Sequence, residues 1–170
     1  EPFLDQLERM GWKVIHGNLD EPSVTGRESF REVLMASELK KAIARINTRN
    51  GTPWLDADRI NQAVSALDKV NASKLMEANQ TATHLLHHGT TVAGLPDWDN
   101  GRDRTIHYID WDTPENNDFV AINQYRVDCP KGQAKKFIAP DITLFINGIP
   151  VAVIECKAPS VHEPLVQAID

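Results

Sequence analysis

The sequence predicts an α+β domain whose helices pack on one side of a sheet, and two observations carry that reading. Apolar residues recur at helical spacing through the first half, and short β-rich segments bounded by turn residues follow one another through the second. Helices first and consecutive strands afterwards is the grammar of an α+β fold. The bulk properties agree with one ordinary globular domain: 170 residues, 41% hydrophobic and 25% charged. No apolar run approaches the roughly 18 residues of a membrane span. Residues 1–25 carry neither the apolar core of a secretory leader nor an Arg-rich transit pattern.

The first helix is read from Phe3, Leu4, Leu7 and Met10, with Gly11 placed where a helix stops. Lys13–His16 is a short strand candidate, followed by a polar loop with Pro22 and Gly26. A second amphipathic helix is expected from Ser29 to Ile46, closed by residues 47–51. A third is expected from Asp56 to Ala78, with Ile60, Ala63, Val64, Leu67 and Leu75 on its inner face, and a fourth from Asn79 to Gly89. Strands are then expected at Thr90–Val92, Arg104–Trp111, Asp118–Val127, Phe137–Ile146 and Pro150–Lys157. The whole chain reads as one domain, 1–170, with a helical insertion at about 29–89 and a β-rich part at about 90–170.

Eighteen basic residues against 24 acidic ones leave a net charge of −6, which on charge alone disfavours nucleic acid as a partner. The charge is uneven. Residues 27–50 are net +3 and residues 97–118 are net −5, with a small basic knot at Lys131, Lys135 and Lys136. Arg27, Arg31, Lys135 and Lys136 are the candidates for phosphate contacts. Two cysteines, Cys129 and Cys156, cannot build a disulfide framework, so a reducing cytoplasm is the expected compartment.

Chemistry concentrates between Pro140 and Lys157. Asn147-Gly148 between two apolar runs is a strong hairpin signal. Pairing about that turn puts Asp141 opposite Ile154, so that Asp141 and Glu155 become neighbours at the open end. Lys157 shares the face of Glu155, because strand side chains alternate. Strands apolar on both faces read as central and buried, where two carboxylates and an ammonium are costly unless paired or bound to a cation. Two carboxylates suit Mg²⁺, and a lysine beside them can serve an attacking water. A strict two-residue turn would leave Asp141 and Glu155 on opposite faces, so an irregularity is expected at Pro140–Asp141 or at the turn. The plainer alternative is an Asp141 that starts a strand and a Glu155–Lys157 surface ion pair.

Pro140-Asp141 followed by Glu155-Cys156-Lys157 resembles the PD-(D/E)xK nuclease signature. The surrounding phrases are similar to the N-terminal nuclease region of the restriction (R) subunit of type I restriction-modification enzymes. Those phrases are Pro140–Pro150, Val153–Pro159, Asn116–Phe119, Leu34 with Leu39–Asn47, and Leu85–Gly89, so the resemblance covers essentially the whole chain. It implies a restriction-endonuclease-like core: a central mixed β-sheet flanked by helices, with an extra helical segment near the N-terminus. It also implies a Mg²⁺-dependent endonuclease that hydrolyses DNA phosphodiesters with a metal-activated water. Asp141, Glu155 and Lys157 would be catalytic; Asp141, Glu155 and the backbone carbonyl of Cys156 would hold the metal, with Glu1 matching the family's first-helix glutamate. The family's Gln-x-x-x-Tyr motif is expected beyond Asp170, since Gln167 would need a tyrosine at 171, and Gln167 is not counted as catalytic. Double-stranded DNA, the methylation and specificity subunits and the subunit's own motor domains are the partners implied, with no membrane. ATP belongs to the full subunit, since no Gly-x-x-x-x-Gly-Lys-Ser/Thr loop occurs here. A repair or recombination nuclease of the same fold is one alternative. A silent docking module using the acidic stretch 97–118 is another.

Other candidates read as structural. His84, His87 and His88 lack the His-Glu-x-x-His arrangement, and neither cysteine has zinc-ligand spacing. Trp54, Trp98, Trp111 and Tyr125 do not interleave with basic residues as a stacking platform would, and are assigned to packing.

Overall fold

The structure is a computed structural model that describes residues 2–70, 74–97 and 99–156. Its elements run α1 (Pro2–Arg9), β1 (Lys13–His16), α2 (Ala36–Ile46), β2 (Thr48–Arg49), β3 (Thr52–Pro53), α3 (Ala57–Asp68) and α4 (Leu75–His88). They continue with β4 (Thr90–Val92), β5 (Arg104–Ile106), β6 (Phe119–Asn123), β7 (Val127–Asp128), β8 (Phe137–Ile138), β9 (Ile142–Ile146) and β10 (Ile149–Ile154). The chain is α+β, as the sequence predicts, and groups into two compact units: residues 1–33, 119–145 and 149–170, and residues 34–118 with 146–148. The second unit carries β4 and β5 with its helices.

The first unit is built on a four-stranded sheet of order β1-β6-β9-β10. β1 and β6 are parallel, from Lys13 opposite Val120 to His16 opposite Asn123. A parallel pair cannot be joined by a tight turn, and the crossover from β1 to β6 contains residues 34–118. Leu4 and Leu7 of α1 pack on Ala121 and Ile142 of the sheet, with Trp12, Val14, Leu144 and Ile154 around them. Each buried leucine contributes roughly 1.5–3 kcal/mol. α1 stops where the sequence predicts. Gly11 sits at φ +93°, its N–H donating to the Glu8 carbonyl and the Trp12 N–H to that of Leu7, which satisfies the carbonyls a helix end leaves open. β9 is central and buried as expected, but among the described residues β10 lies at the end of the sheet, with Val151 and Val153 exposed by 41% and 59%.

Arg27 corrects one reading of the sequence. It is buried, at 3% exposure, and works as a strut. Its Nε donates to Thr25 Oγ1 at 2.8 Å and its Nη1 to the carbonyls of Glu32 and Arg126 at 2.9 Å, with the guanidinium 3.7 Å above the Tyr125 ring. It has no surface to offer a phosphate. Phe30 lies beside it under the Arg126 guanidinium, 4.4 Å away, and Ser29 Oγ accepts from the Arg31 N–H. These local bonds compete with helix formation, so the helix expected from Ser29 begins only at Ala36. Arg27→Met is expected to cost ~3 kcal/mol, because it orphans two carbonyls and removes charge-assisted bonds and a cation–π contact. Urea unfolding measures it, and a loss under ~1 kcal/mol would contradict the strut.

In the second unit α2 buries Leu39, Ala42 and Ile43. The long helix expected over Asp56–Ala78 is two: α3 ends at Asp68, capped by Lys69, and α4 starts at Leu75. Val70, already outside the helix, is a poor helix former, a break the apolar spacing alone hides. Asp56 caps α3 by accepting from the Arg59 N–H at 2.9 Å, a bond that holds its carboxyl below the usual range. Tyr108 donates from its hydroxyl to the Ala63 carbonyl at 2.7 Å. Asp110 and Asp118, counted in the acidic stretch, are internally bound. Asp110 accepts from Asn116 and from the N–H groups of Thr113 and Asp112, and Asp118 pairs with Arg45 at 2.7 Å. Among the described residues no helix is long and apolar enough to cross a membrane.

Burial pushes the phenols of Tyr108 and Tyr125 up from 10.0 to about 12. Above pH 10 the unfolded chain loses these protons while the folded chain keeps them. Stability is therefore full below pH 10 and falls by ~1.4 kcal/mol per pH unit for each tyrosine as the pH rises toward 12. Urea midpoints between pH 9 and 11.5 are expected to fall less steeply in Tyr108→Phe than in the parent chain, and identical slopes would refute the assignment.

Candidate active site

Asp141, Glu155 and Cys156 lie where β9 begins and β10 ends. At the other end of the hairpin, Asn147 and Gly148 sit at φ +53° and +80°, the two positive values that a type I′ turn requires. Gly148 has a second reason to be glycine: a Cβ there would lie 2.7 Å from the Met35 carbonyl oxygen. The turn is therefore regular, and the expected irregularity falls at Pro140–Asp141. Both residues precede the first ladder residue, Ile142, with Asp141 in a bend, and Glu155 and Cys156 follow the last, Ile154. Both carboxylates thus lie just beyond the regular ladder, where the alternation that would set them on opposite faces no longer holds.

Asp141 is positioned from two sides. Its backbone carbonyl accepts from the Gln124 N–H at 3.2 Å, just past the end of β6, and its Oδ2 accepts from the Cys156 N–H at 2.7 Å. The second bond closes the end of the hairpin and brings Asp141 against the Glu155-Cys156 segment, 15 residues on. Asp141, Glu155 and Cys156 are all exposed. Among the described residues neither carboxylate forms an ion pair, and Glu155 has no hydrogen-bond partner. Lys157 and Glu1 lie outside the described residues, as does Gln167. The sequence reading assigned Cys156 a backbone carbonyl; its N–H as the support of Asp141 was missed. No side-chain signal could have shown it.

The remaining candidates separate cleanly. The His84 and His88 rings lie 4.6 Å apart, and His87 stacks on Trp111 at 5.0 Å. Among the described residues no group of three or more His, Cys, Asp or Glu is arranged to hold a metal ion. Tyr125 is buried against Phe145, as a packing role predicts. Trp54 is only half-buried, and Trp98 lies outside the described residues.

A sequence-family model described as the type I restriction enzyme R protein N terminus matches residues 1–170. The chain is similar to a putative type I restriction enzyme MjaIXP endonuclease subunit of Methanocaldococcus jannaschii, at 26% identity over 94% of this chain and 15% of that protein. It is also similar to the type I restriction enzyme HindI endonuclease subunit of Haemophilus influenzae, at 30% identity over 92% of this chain and 14% of that protein. The chain thus spans about one-seventh of the length of these curated relatives.

Proposed function

This chain belongs to the type I restriction enzyme R protein N-terminus family, and from that premise we propose that it is the DNA-cleaving part of its subunit, a Mg²⁺-dependent endonuclease of the PD-(D/E)xK type. The observation that carries the reading is the Asp141–Cys156 contact, which joins the Pro140-Asp141 and Glu155-Cys156 segments at one end of one hairpin. Two exposed carboxylates with no cation against them among the described residues form a hard oxygen donor set, which fits Mg²⁺. Asp141, Glu155 and the Cys156 carbonyl would hold the ion, with Glu1 as a further candidate. When bound, the ion supplies Lewis-acid activation of water and neutralises charge at the scissile phosphate.

The chain's own groups do the rest. The Cys156 N–H donates to Asp141 Oδ2, which leaves the carboxylate lone pairs for a ligand. The Lys157 ammonium orients the attacking water and stabilises negative charge developing on the phosphoryl oxygens. Hydrolysis breaks one P–O ester bond and leaves a phosphate monoester and a hydroxyl. Double-stranded DNA is the substrate, and the methylation and specificity subunits and the motor domains of the full subunit, with its ATP, are the partners. The net charge of −6 fits a cutting module to which DNA is delivered rather than an autonomous binder. Plasmid cleavage by the assembled enzyme, with the site residues replaced one at a time, tests the proposal.

A further inference from the structure

Within the second unit a cleft of about 350 Å³ is lined by Ile46, Asn47, Thr48, Arg49, Trp54 and Arg104, with Thr105 and His107 completing it. Its chemistry is unlike that of the rest of this acidic chain: two guanidinium groups, an imidazole, two hydroxyls and an indole, and no carboxylate in the lining. Its floor is rigid. The buried Asn47 side chain donates from Nδ2 to the carbonyls of Ile43 and His107, and its Oδ1 accepts from the His107 N–H, all within 2.8–2.9 Å. One rim is the β2–β3 hairpin, turned by Asn50-Gly51 at φ +48° and +75° and exposed throughout residues 48–53.

We infer that this cleft binds a nucleotide unit, a phosphate with its neighbouring base, supplied by a nucleic-acid strand or a free nucleotide. Arg49, Trp54 and Arg104 are each held by neighbours. A guanidinium carries five N–H donors in a planar fork, so an arginine that already has a partner can still address an anion. Two such forks with two hydroxyls exceed what one carboxylate can accept and match a phosphate. Trp54 is half-buried in the same lining, and an indole is the kind of side chain on which a base stacks without regard to sequence. The inference deepens the reading of this chain as a DNA-directed module and rests on it, but the cleft shares no residue with the Asp141–Glu155 site.

The test is anisotropy of a labelled oligothymidylate of about ten residues, titrated with the chain and competed with thymidine monophosphate or oligoglutamate. Arg49→Ala and Trp54→Ala are each expected to weaken binding ~10-fold, and Trp54→Phe to restore most of it. Lys41→Ala is expected to leave it unchanged, since Lys41 is on α2 but ion-paired with Glu38 and outside the cleft. The slope of log K against log salt should lie between about −0.7 and −1.4. Competition by thymidine monophosphate identifies a free nucleotide as sufficient; competition by oligomers alone identifies a strand. Absence of binding at ~1 mM chain, unaltered binding in both alanine variants, or displacement by oligoglutamate as effective as by nucleotide overturns the inference. Oligonucleotide binding reports the cleft and plasmid cleavage by the assembled enzyme reports the Asp141–Glu155 site, so failure of the cleft and failure of the nuclease reading are separable.

Discussion

In the assembled restriction enzyme, Asp141→Ala and Glu155→Ala are each expected to lower plasmid cleavage by at least ~100-fold, on the scale of removing a group that stabilises charge in a transition state. Both side chains are exposed, so the loss should come with little change in unfolding midpoint. Asp141→Asn is the sharper variant. Its amide oxygen can still accept from the Cys156 N–H, which retains the hairpin closure while removing the negative charge. Cleavage should fall as far as in Asp141→Ala if charge is what the site needs. Cys156 separates backbone from side chain: Cys156→Ala keeps the N–H and should keep most activity, whereas Cys156→Pro deletes the donor to Asp141 and should not. ATP hydrolysis by the same preparations serves as the control for assembly. Wild-type cleavage in both alanine variants would end the nuclease assignment for this site.

The parts legible in the sequence were those governed by local rules. α1 with its Gly11 stop, β1, β4 and the Asn147-Gly148 hairpin follow from apolar spacing and positive-φ residues within a few positions. The candidate site was legible because the same hairpin brings its two segments together. What the sequence hid was set by long-range partners. Asn50-Gly51 is the same turn signal as Asn147-Gly148, but beside a helix end and without long apolar flanks it read as a mere terminator. The parallel β1–β6 pair joins residues some hundred positions apart, so consecutive strands could not reveal it. Trp54 and Arg104 line one cleft although fifty positions separate them, which is why interleaving along the chain showed no aromatic–basic surface. Arg27 was read by its charge, while its role follows from two carbonyls and a tyrosine ring that only the fold supplies.

Asn147→Ala should produce the largest loss of stability, ~3–5 kcal/mol from a total of ~5–15 kcal/mol. Asn147 is fully buried and its side chain is the hub of a closed network. Its Oδ1 accepts from the Asp118 N–H at 2.8 Å, and its Nδ2 donates to the Tyr108 carbonyl at 2.9 Å and to Asn117 Oδ1 at 2.8 Å. Its own N–H donates to the Asp118 carbonyl. Alanine strands three polar groups away from water and places a Cβ residue without asparagine's local compensation at φ +53°. Asn147→Gly separates the two causes, since it relieves the backbone but not the network, and should recover only ~1 kcal/mol. Asn147→Asp keeps the acceptor for Asp118 but turns both donors into repulsive contacts, so it should be worst at neutral pH. Its buried carboxyl has a raised pKa, and stability should return as acidification protonates it. Urea unfolding of the three variants at pH 7 and pH 5 gives the ordering. A loss below ~1 kcal/mol in all of them would mean that the turn dipeptide alone, without its network, sets the hairpin register by which Asp141 reaches the Cys156 N–H.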